Sequence, residues 1–204
     1  TVVTGNPVRK ALHESLSRTT ASTVLGVDPQ AFTLLVLGGS LGARKINQLV
    51  KNHLPDIKKH NVQLIWQCGN LYAEEYQSLT SENIHVVPFI DNMSAAYAAS
   101  DLVVSRAGAL AISELCLTAK PTLFVPSPNV SENHQEKNAQ ALVDKEAAFM
   151  VVERHAKAEF WPVLLSLIES ESLRNTLSKN IKTFAHPNAT KEIVSTITQH
   201  LPTS

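Results

Sequence analysis

The sequence predicts an α/β fold, a doubly wound parallel six-stranded sheet of Rossmann-like design. Three observations carry this. Six short apolar runs alternate with amphipathic segments. The runs are rich in Val, Leu and Ile and mostly unalternated, as strands covered on both faces read. The connections are short, which suits strand–helix–strand crossovers.

The strands are expected at residues 32–37, 62–67, 84–88, 101–105, 121–126 and 148–152. A first helix carries Ile46, Leu49 and Val50 until Pro55 interrupts it. A second pattern covers 71–79, and a third covers 93–99 with Asp91 as its cap. The fourth runs over 109–117 and the fifth over 135–145. Then come "AEFWPVLLSLIE", "ESLRNTLSKNIKTFA" and "ATKEIVSTITQHL", three helical patterns without obvious chemistry. Pro187 and Asn188 separate the last two.

The bulk numbers narrow the function classes. The 204 residues suit one large domain, able to bury roughly 70% of the surface an unfolded chain exposes. Apolar residues make up 44% and charged residues 18%, ordinary for a globular protein. Eighteen basic residues balance eighteen acidic ones, which argues against nucleic acid as the partner. Cys68 and Cys116 lack metal spacing and read as buried or idle thiols. No apolar run approaches the ~20 residues of a membrane helix. The opening "TVVTGNPVRK" reads as a linker, so the chain is expected to be a fragment.

Six strands suit the order 3-2-1-4-5-6, in which strands one and four become neighbours where the winding reverses. Ligands bind outside the carboxyl ends at that point. Strand one runs into "GGSLGA" and strand four into "SRAGA". Two glycine-bearing loops should therefore meet at one crevice, able to present backbone amides to an anion.

Familiar phosphate motifs do not fit. A Walker loop from Gly38 or Gly39 would need its second glycine at Ala43 or Arg44. Gly38, Gly39 and Gly42 also miss the dinucleotide spacing, and strand two ends "WQCGN" without the ribose-binding carboxylate of NAD enzymes. Glu114, on the second turn of the helix opening at Ala109, is the carboxylate that can reach the crevice. Spacing alone leaves it two roles: accepting ribose hydroxyls, or serving as a surface or helix-dipole glutamate.

"TGNPVR", "LGGSLGARKIN", "VVPFIDNMSAAYAASDLVVSRAGALAISEL", "KPTLFVPSP" and "ENHQEKNAQAL" together resemble the MurG family, over about Thr4 to Val152 in unbroken order. These are peptidoglycan N-acetylglucosaminyltransferases, which move GlcNAc from UDP-GlcNAc onto lipid I to give lipid II. The resemblance implies the C-terminal, donor-binding half of a GT-B glycosyltransferase. It implies a linker over 1–10, a UDP-GlcNAc-binding domain over 11–185 and a C-terminal helix over 186–204. An N-terminal acceptor domain, with lipid I, membrane contact and the base, would lie outside this chain. The enzyme would be peripheral on the cytoplasmic face of the bacterial inner membrane, and this portion alone would be inactive.

The same resemblance assigns roles. Gly39, Ser40 and Gly42 of the glycine loop would face the diphosphate or sugar. Ile90 would hold the uracil edge through its backbone. The amides of Ala109 and Leu110 would meet phosphates, and Glu114 the ribose hydroxyls. Gln135, with His134 beside it, would read the GlcNAc hydroxyls. Arg9 would approach the diphosphate when two domains close. The implied chemistry is inverting displacement at the anomeric carbon, with charge on departing UDP stabilised by amides and Arg9. No cofactor is expected, and no D-x-D motif marks a metal site.

Other readings remain at this point. His134 also suits a helix start, and Arg9 a solvated linker charge. Arg44 and Lys45 are expected to face solvent, Met93 and Tyr97 to form one packing face, and Trp66 and Trp161 to lie in the core. Leu41 stands where many relatives have glutamine. Ala119 stands where a glycine cap is common. The functional alternatives are another UDP-sugar enzyme of the same fold, such as a UDP-GlcNAc epimerase, and a non-catalytic nucleotide-binding module.

Overall fold

The computed structural model describes residues 2–14, 16–128 and 133–199. Its six strands are β1 (Thr33–Leu37), β2 (Gln63–Gln67), β3 (Ile84–Val87), β4 (Leu102–Ser105), β5 (Thr122–Phe124) and β6 (Phe149–Met150). They form one sheet in the order β3-β2-β1-β4-β5-β6. Every strand pair is parallel. Successive β1 residues alternate between two cores: Leu34 and Val36 pack on one face, Leu35 and Leu37 on the other. Both faces are dry, and so the run carries no polar alternation.

The helices are α1 (Arg18–Leu25), α2 (Arg44–Asn52), α3 (Leu54–Lys59), α4 (Ala73–Tyr76), α5 (Met93–Ala99), α6 (Ala109–Leu117), α7 (His134–Val143), α8 (Ala156–Glu169), α9 (Glu171–Lys182) and α10 (Ala189–Gln199). Ile46, Leu49 and Val50 of α2 pack with Phe160 and Leu164 of α8 on one face. Apolar residues of α5, α6 and α7 cover the other. None of the described helices is long and apolar enough to cross a membrane.

Several expectations need correction. The cap of α5 is Asn92, whose side chain accepts from Ala95 N, in place of Asp91. Pro55 interrupts α2 by opening α3, in whose first turn its missing N–H costs nothing. The 71–79 pattern breaks into α4 flanked by two 3₁₀ turns. α7 begins at His134 and ends at Val143, where 135–145 was expected.

Two elements carry no sequence expectation: a 3₁₀ turn at Lys10–His13, and α1. The latter is capped by Ser17, accepting from Thr20 N, and closed by Gly26 at φ 66°. Its Arg18 forks onto Asp101, Nη1 to Oδ1 at 2.6 Å and Nη2 to Oδ2 at 2.9 Å. Asp101 Oδ2 also accepts from Thr33 N at 2.8 Å, which ties α1 to the start of β1.

Trp66 is buried, and its indole donates to Asn47 Oδ1 at 2.9 Å. Trp161 is only half-buried and stacks on His53, with ring centroids 5.3 Å apart. Cys68 and Cys116 are buried free thiols, and burial pushes the Cys116 thiol up to about 11. Ala119 takes φ 52°, the left-handed conformation that the absent glycine would have accepted freely.

Candidate nucleotide-binding cleft

β1 and β4 are paired, with Leu37 opposite Ser105, so both glycine loops leave the sheet side by side. Between them lies a cleft of about 270 Å³. Of the expected site residues, Arg9, Gly39, Ser40, Ile90, Leu110, Glu114 and Gln135 line it. The convergence expected at the switch point is therefore present.

The floor of the cleft is the start of α6. Gly108 is its N-cap at φ −69°, ψ 145°, with no side-chain cap bond. The first intrahelical bond runs from Ile112 N to Gly108 O. The amides of Ala109, Leu110 and Ala111 precede that bond, which leaves a helix terminus open to an anion.

Glu114 sits one turn further along, only 4% exposed. The Tyr97 hydroxyl donates to its Oε2 at 3.1 Å. Arg9 Nε lies 2.9 Å from Oε1, but its N–H is not aimed along that line. Oε1 thus has charge compensation while accepting no hydrogen bond among the described residues. A buried carboxylate oxygen in this condition keeps acceptor capacity unused. Burial, and then the Glu114 charge, push the Tyr97 hydroxyl well above the ordinary tyrosine range, so it stays a donor.

Two further carbonyl–amide links shape the walls. Gln67 Nε2 donates to Gly39 O at 2.9 Å, and its Oε1 accepts from Ile90 N at 3.0 Å. Gln135 Oε1 accepts from Ser127 N at 3.0 Å and Ala107 N at 3.3 Å. These bonds narrow two expectations without overturning them. The Ile90 amide is committed, which leaves only its carbonyl for a base edge. Gln135 has likewise committed its acceptor end, so its Nε2 is what remains to donate to a sugar hydroxyl.

Two expected residues, His134 and Gly42, lie outside the cleft lining, and Ala109 contributes to it through its amide alone. His134 is exposed at the start of α7 and does not line the cleft. The Ala109 side chain borders a separate pocket with Gly5 and Asn6, although its amide belongs to the α6 terminus. Gly42 borders an adjacent depression of about 550 Å³ with Arg44 and Lys45. Its glycine identity has a packing cause. A Cβ on Gly42 would collide with the Cys68 carbonyl and Tyr72, and one on Gly69 would collide with the Gly42 backbone. Arg44 is exposed and rests over the Tyr72 ring, 5.7 Å from its centroid.

Sequence reasoning missed Gln67, seen there only as the lack of a carboxylate after strand two. It also read Tyr97 as packing alone. Tyr97 and Met93 are both buried as expected, yet both line the cleft as well. The signal for Tyr97 was a tyrosine on a face otherwise made of Met and Ala, since a buried hydroxyl needs a partner.

The glycosyltransferase family 28 C-terminal domain matches residues 33–193. A Flavobacterium psychrophilum protein named UDP-N-acetylglucosamine–N-acetylmuramyl-(pentapeptide) pyrophosphoryl-undecaprenol N-acetylglucosamine transferase is 48% identical over 198 residues, covering 96% of this chain and 54% of its own length. A Cytophaga hutchinsonii protein of the same name is 47% identical, with 96% and 53% covered. The chain thus spans about half the length of the curated relatives it matches. Acinetobacter baumannii MurG superposes with a TM-score of 0.73 at 28% identity, covering 98% of this chain and 57% of that one. WaaG, a glycosyltransferase involved in lipopolysaccharide biosynthesis, gives 0.68 at 18% identity, with 95% and 55% covered, a likeness of fold alone. The sheet has the Rossmann-like α/β fold of the C-terminal half of GT-B glycosyltransferases such as that MurG, and the chain belongs to the glycosyltransferase family 28 C-terminal domain family.

Proposed function

We propose that the chain is the donor-binding half of an inverting N-acetylglucosaminyltransferase. The full enzyme moves GlcNAc from UDP-GlcNAc onto lipid I, forming lipid II for peptidoglycan. The observation that carries this reading is the buried Glu114 carboxylate, with Oε1 accepting no hydrogen bond, one turn from an uncapped helix terminus in the same cleft. A ribose diol and a diphosphate need that pair of features at about that separation. The names borne by relatives 47–48% identical support the sugar and the acceptor.

In this reading Glu114 accepts from the ribose hydroxyls, and the amides of Ala109 to Ala111 hold phosphate. The Ile90 carbonyl accepts from the uracil edge, and Gln135 Nε2 donates to the sugar. Arg9 turns its guanidinium from Glu114 toward the diphosphate as negative charge builds on departing UDP. These residues lower the barrier by stabilising the leaving group, without a metal. The attacking hydroxyl comes from lipid I, held in the acceptor half, which also supplies the base that takes its proton and the membrane contact at the cytoplasmic face of the inner membrane. Residues 2–10 serve as the linker between halves, 11–185 as the donor domain and α10 (Ala189–Gln199) as the closing helix; the rest of the span expected for that helix, 200–204, lies outside the described residues.

Titration calorimetry with UDP, GDP and ADP tests the reading. UDP should bind at least about tenfold more tightly than either purine nucleotide, a difference of about 1.4 kcal/mol. Equal binding of all three would count against it. The epimerase alternative has in its favour only a fold likeness, a TM-score of 0.57 at 13% identity to a putative UDP-N-acetylglucosamine 2-epimerase.

A further inference from the structure

Glu114 Oε1 lies out of reach of solvent, and the Arg9 guanidinium stands over it, with Nε at 2.9 Å. The two side chains differ in freedom. That of Glu114 is 5% exposed, and its other oxygen is held by Tyr97, whereas that of Arg9 is 47% exposed. The Arg9 backbone is pinned. Its carbonyl accepts from the amide of buried Leu12 at 3.0 Å, and Ser94 of α5 donates to Ala11 O at 3.1 Å in the same 3₁₀ turn. A ligand hydroxyl therefore reaches Oε1 only after the Arg9 side chain swings away, while the linker itself stays docked.

The cost of that swing depends on the ligand. Among the described residues Arg9 is the one cation paired with Glu114. A ligand offering hydroxyls alone replaces a charged partner by dipoles and leaves the guanidinium without an anion. A ligand that also carries a diphosphate returns an anion to it, because Arg9 lines the same cleft as Leu110 and Ala111 of the α6 terminus. The exchange begins when the ribose enters and is completed as charge builds on departing UDP. Where the binding-competent arrangement is a minor one, affinity falls in proportion to its population. The ion pair thus weakens a bare nucleoside, while a diphosphate offsets the loss.

We propose that Arg9 is a specificity-determining residue: paired with Glu114, it caps the ribose position of the empty cleft and excludes nucleosides that lack phosphate. The inference rests on the nucleotide reading above. It gives the residue expected at the diphosphate a second role, exerted against the wrong ligand before the right one arrives.

Uridine affinity is measured by NMR titration and UDP affinity by calorimetry on the full-length protein, for the wild type and Arg9→Ala. The variant should bind uridine about two- to fivefold more tightly, the worth of a partly exposed ion pair. It should bind UDP about tenfold more weakly, the worth of a charge-assisted bond. In a Glu114→Gln background no carboxylate holds the guanidinium, and Arg9→Ala should leave uridine within about twofold. A uridine affinity that fails to rise in Arg9→Ala, or that rises equally in the Glu114→Gln background, overturns the proposal. Should Arg9→Ala fail to fold, salt added to the wild type decides. Raising it from about 20 mM to about 0.5 M screens the half-exposed pair, so uridine should bind more tightly and UDP less so. Uridine binding that stays flat or weakens with salt overturns the proposal. A wild type that binds UDP no better than GDP would end the nucleotide reading itself. UDP weakened by Arg9→Ala with uridine unchanged would end this inference alone.

Discussion

The Tyr97 hydroxyl donates to Glu114 Oε2 across 3.1 Å, joining α5 to the second turn of α6 beneath the cleft. The bond fixes the carboxylate plane, with Oε1 turned toward Arg9 Nε at 2.9 Å and accepting no hydrogen bond among the described residues. Tyr97→Phe should therefore weaken UDP by about three- to tenfold, the worth of one ordinary hydrogen bond. Glu114→Ala should cost about 30-fold or more, since it removes the acceptor of charge-assisted bonds. Calorimetry with UDP and with an analogue lacking both ribose hydroxyls checks the assignment. The analogue should be nearly indifferent to Glu114→Ala, and equal losses for the two ligands would remove the role.

The loops after β1 and β2 touch backbone to backbone at Gly42 and Gly69. Gly69 holds φ 90° and leaves no room for a Cβ. Gly69→Ala should destabilise by more than about 2 kcal/mol, combining overpacking with left-handed strain. Urea unfolding measures this, and a loss under about 0.5 kcal/mol, the scatter of surface substitutions, would contradict the geometry.

Ala119 closes α6 in a Schellman turn, with Lys120 N donating to Leu115 O and Ala119 N to Cys116 O. At φ 52° its Cβ carries a steric penalty that glycine lacks. Ala119→Gly should raise stability by about 1 kcal/mol, the left-handed penalty less the added entropy of the unfolded chain. A lower denaturation midpoint for the variant would refute this.

Lys120 donates to Ser100 O at 2.8 Å. Burial pulls its amine down to about 8 from 10.5; Asp101 works against the shift and Arg18 adds to it. Below pH 8 both folded and unfolded chains hold the proton, and the burial penalty is constant. Between pH 8 and 10.5 the unfolded chain holds a proton that the folded chain has lost, so stability rises with pH. Relative to Lys120→Met, the wild type should gain on the order of 2 kcal/mol from pH 7 to pH 10. Urea titrations at both values test it, and a pH-independent gap would be the contrary result.

The sheet was legible because its strands are dry on both sides, as the alternation of Leu34 to Leu37 between two cores makes plain. The cleft was legible because strand order alone sets β1 beside β4. α1 escaped because "RTTASTVL" has no apolar stripe; a polar network at Arg18 and packing against α5 hold it. Its end signals, Ser17 and Gly26, were present but had no periodic run to bracket. Gln67 and the committed end of Gln135 were out of reach for another reason. Which half of a carboxamide remains for a ligand depends on neighbours distant in sequence, such as Gly39, Ile90, Ala107 and Ser127.

The contact between Gly42 and Gly69 also bears on how such sequences can drift. Gly69 cannot acquire a side chain while the Gly42 backbone stays where it is, and Gly42 cannot while the Cys68 carbonyl and the Tyr72 ring stay where they are. Descendants that lengthen either loop would have to reshape both together. Both glycines should therefore persist wherever the two loops keep this approach, even in lineages whose sugar preference has diverged.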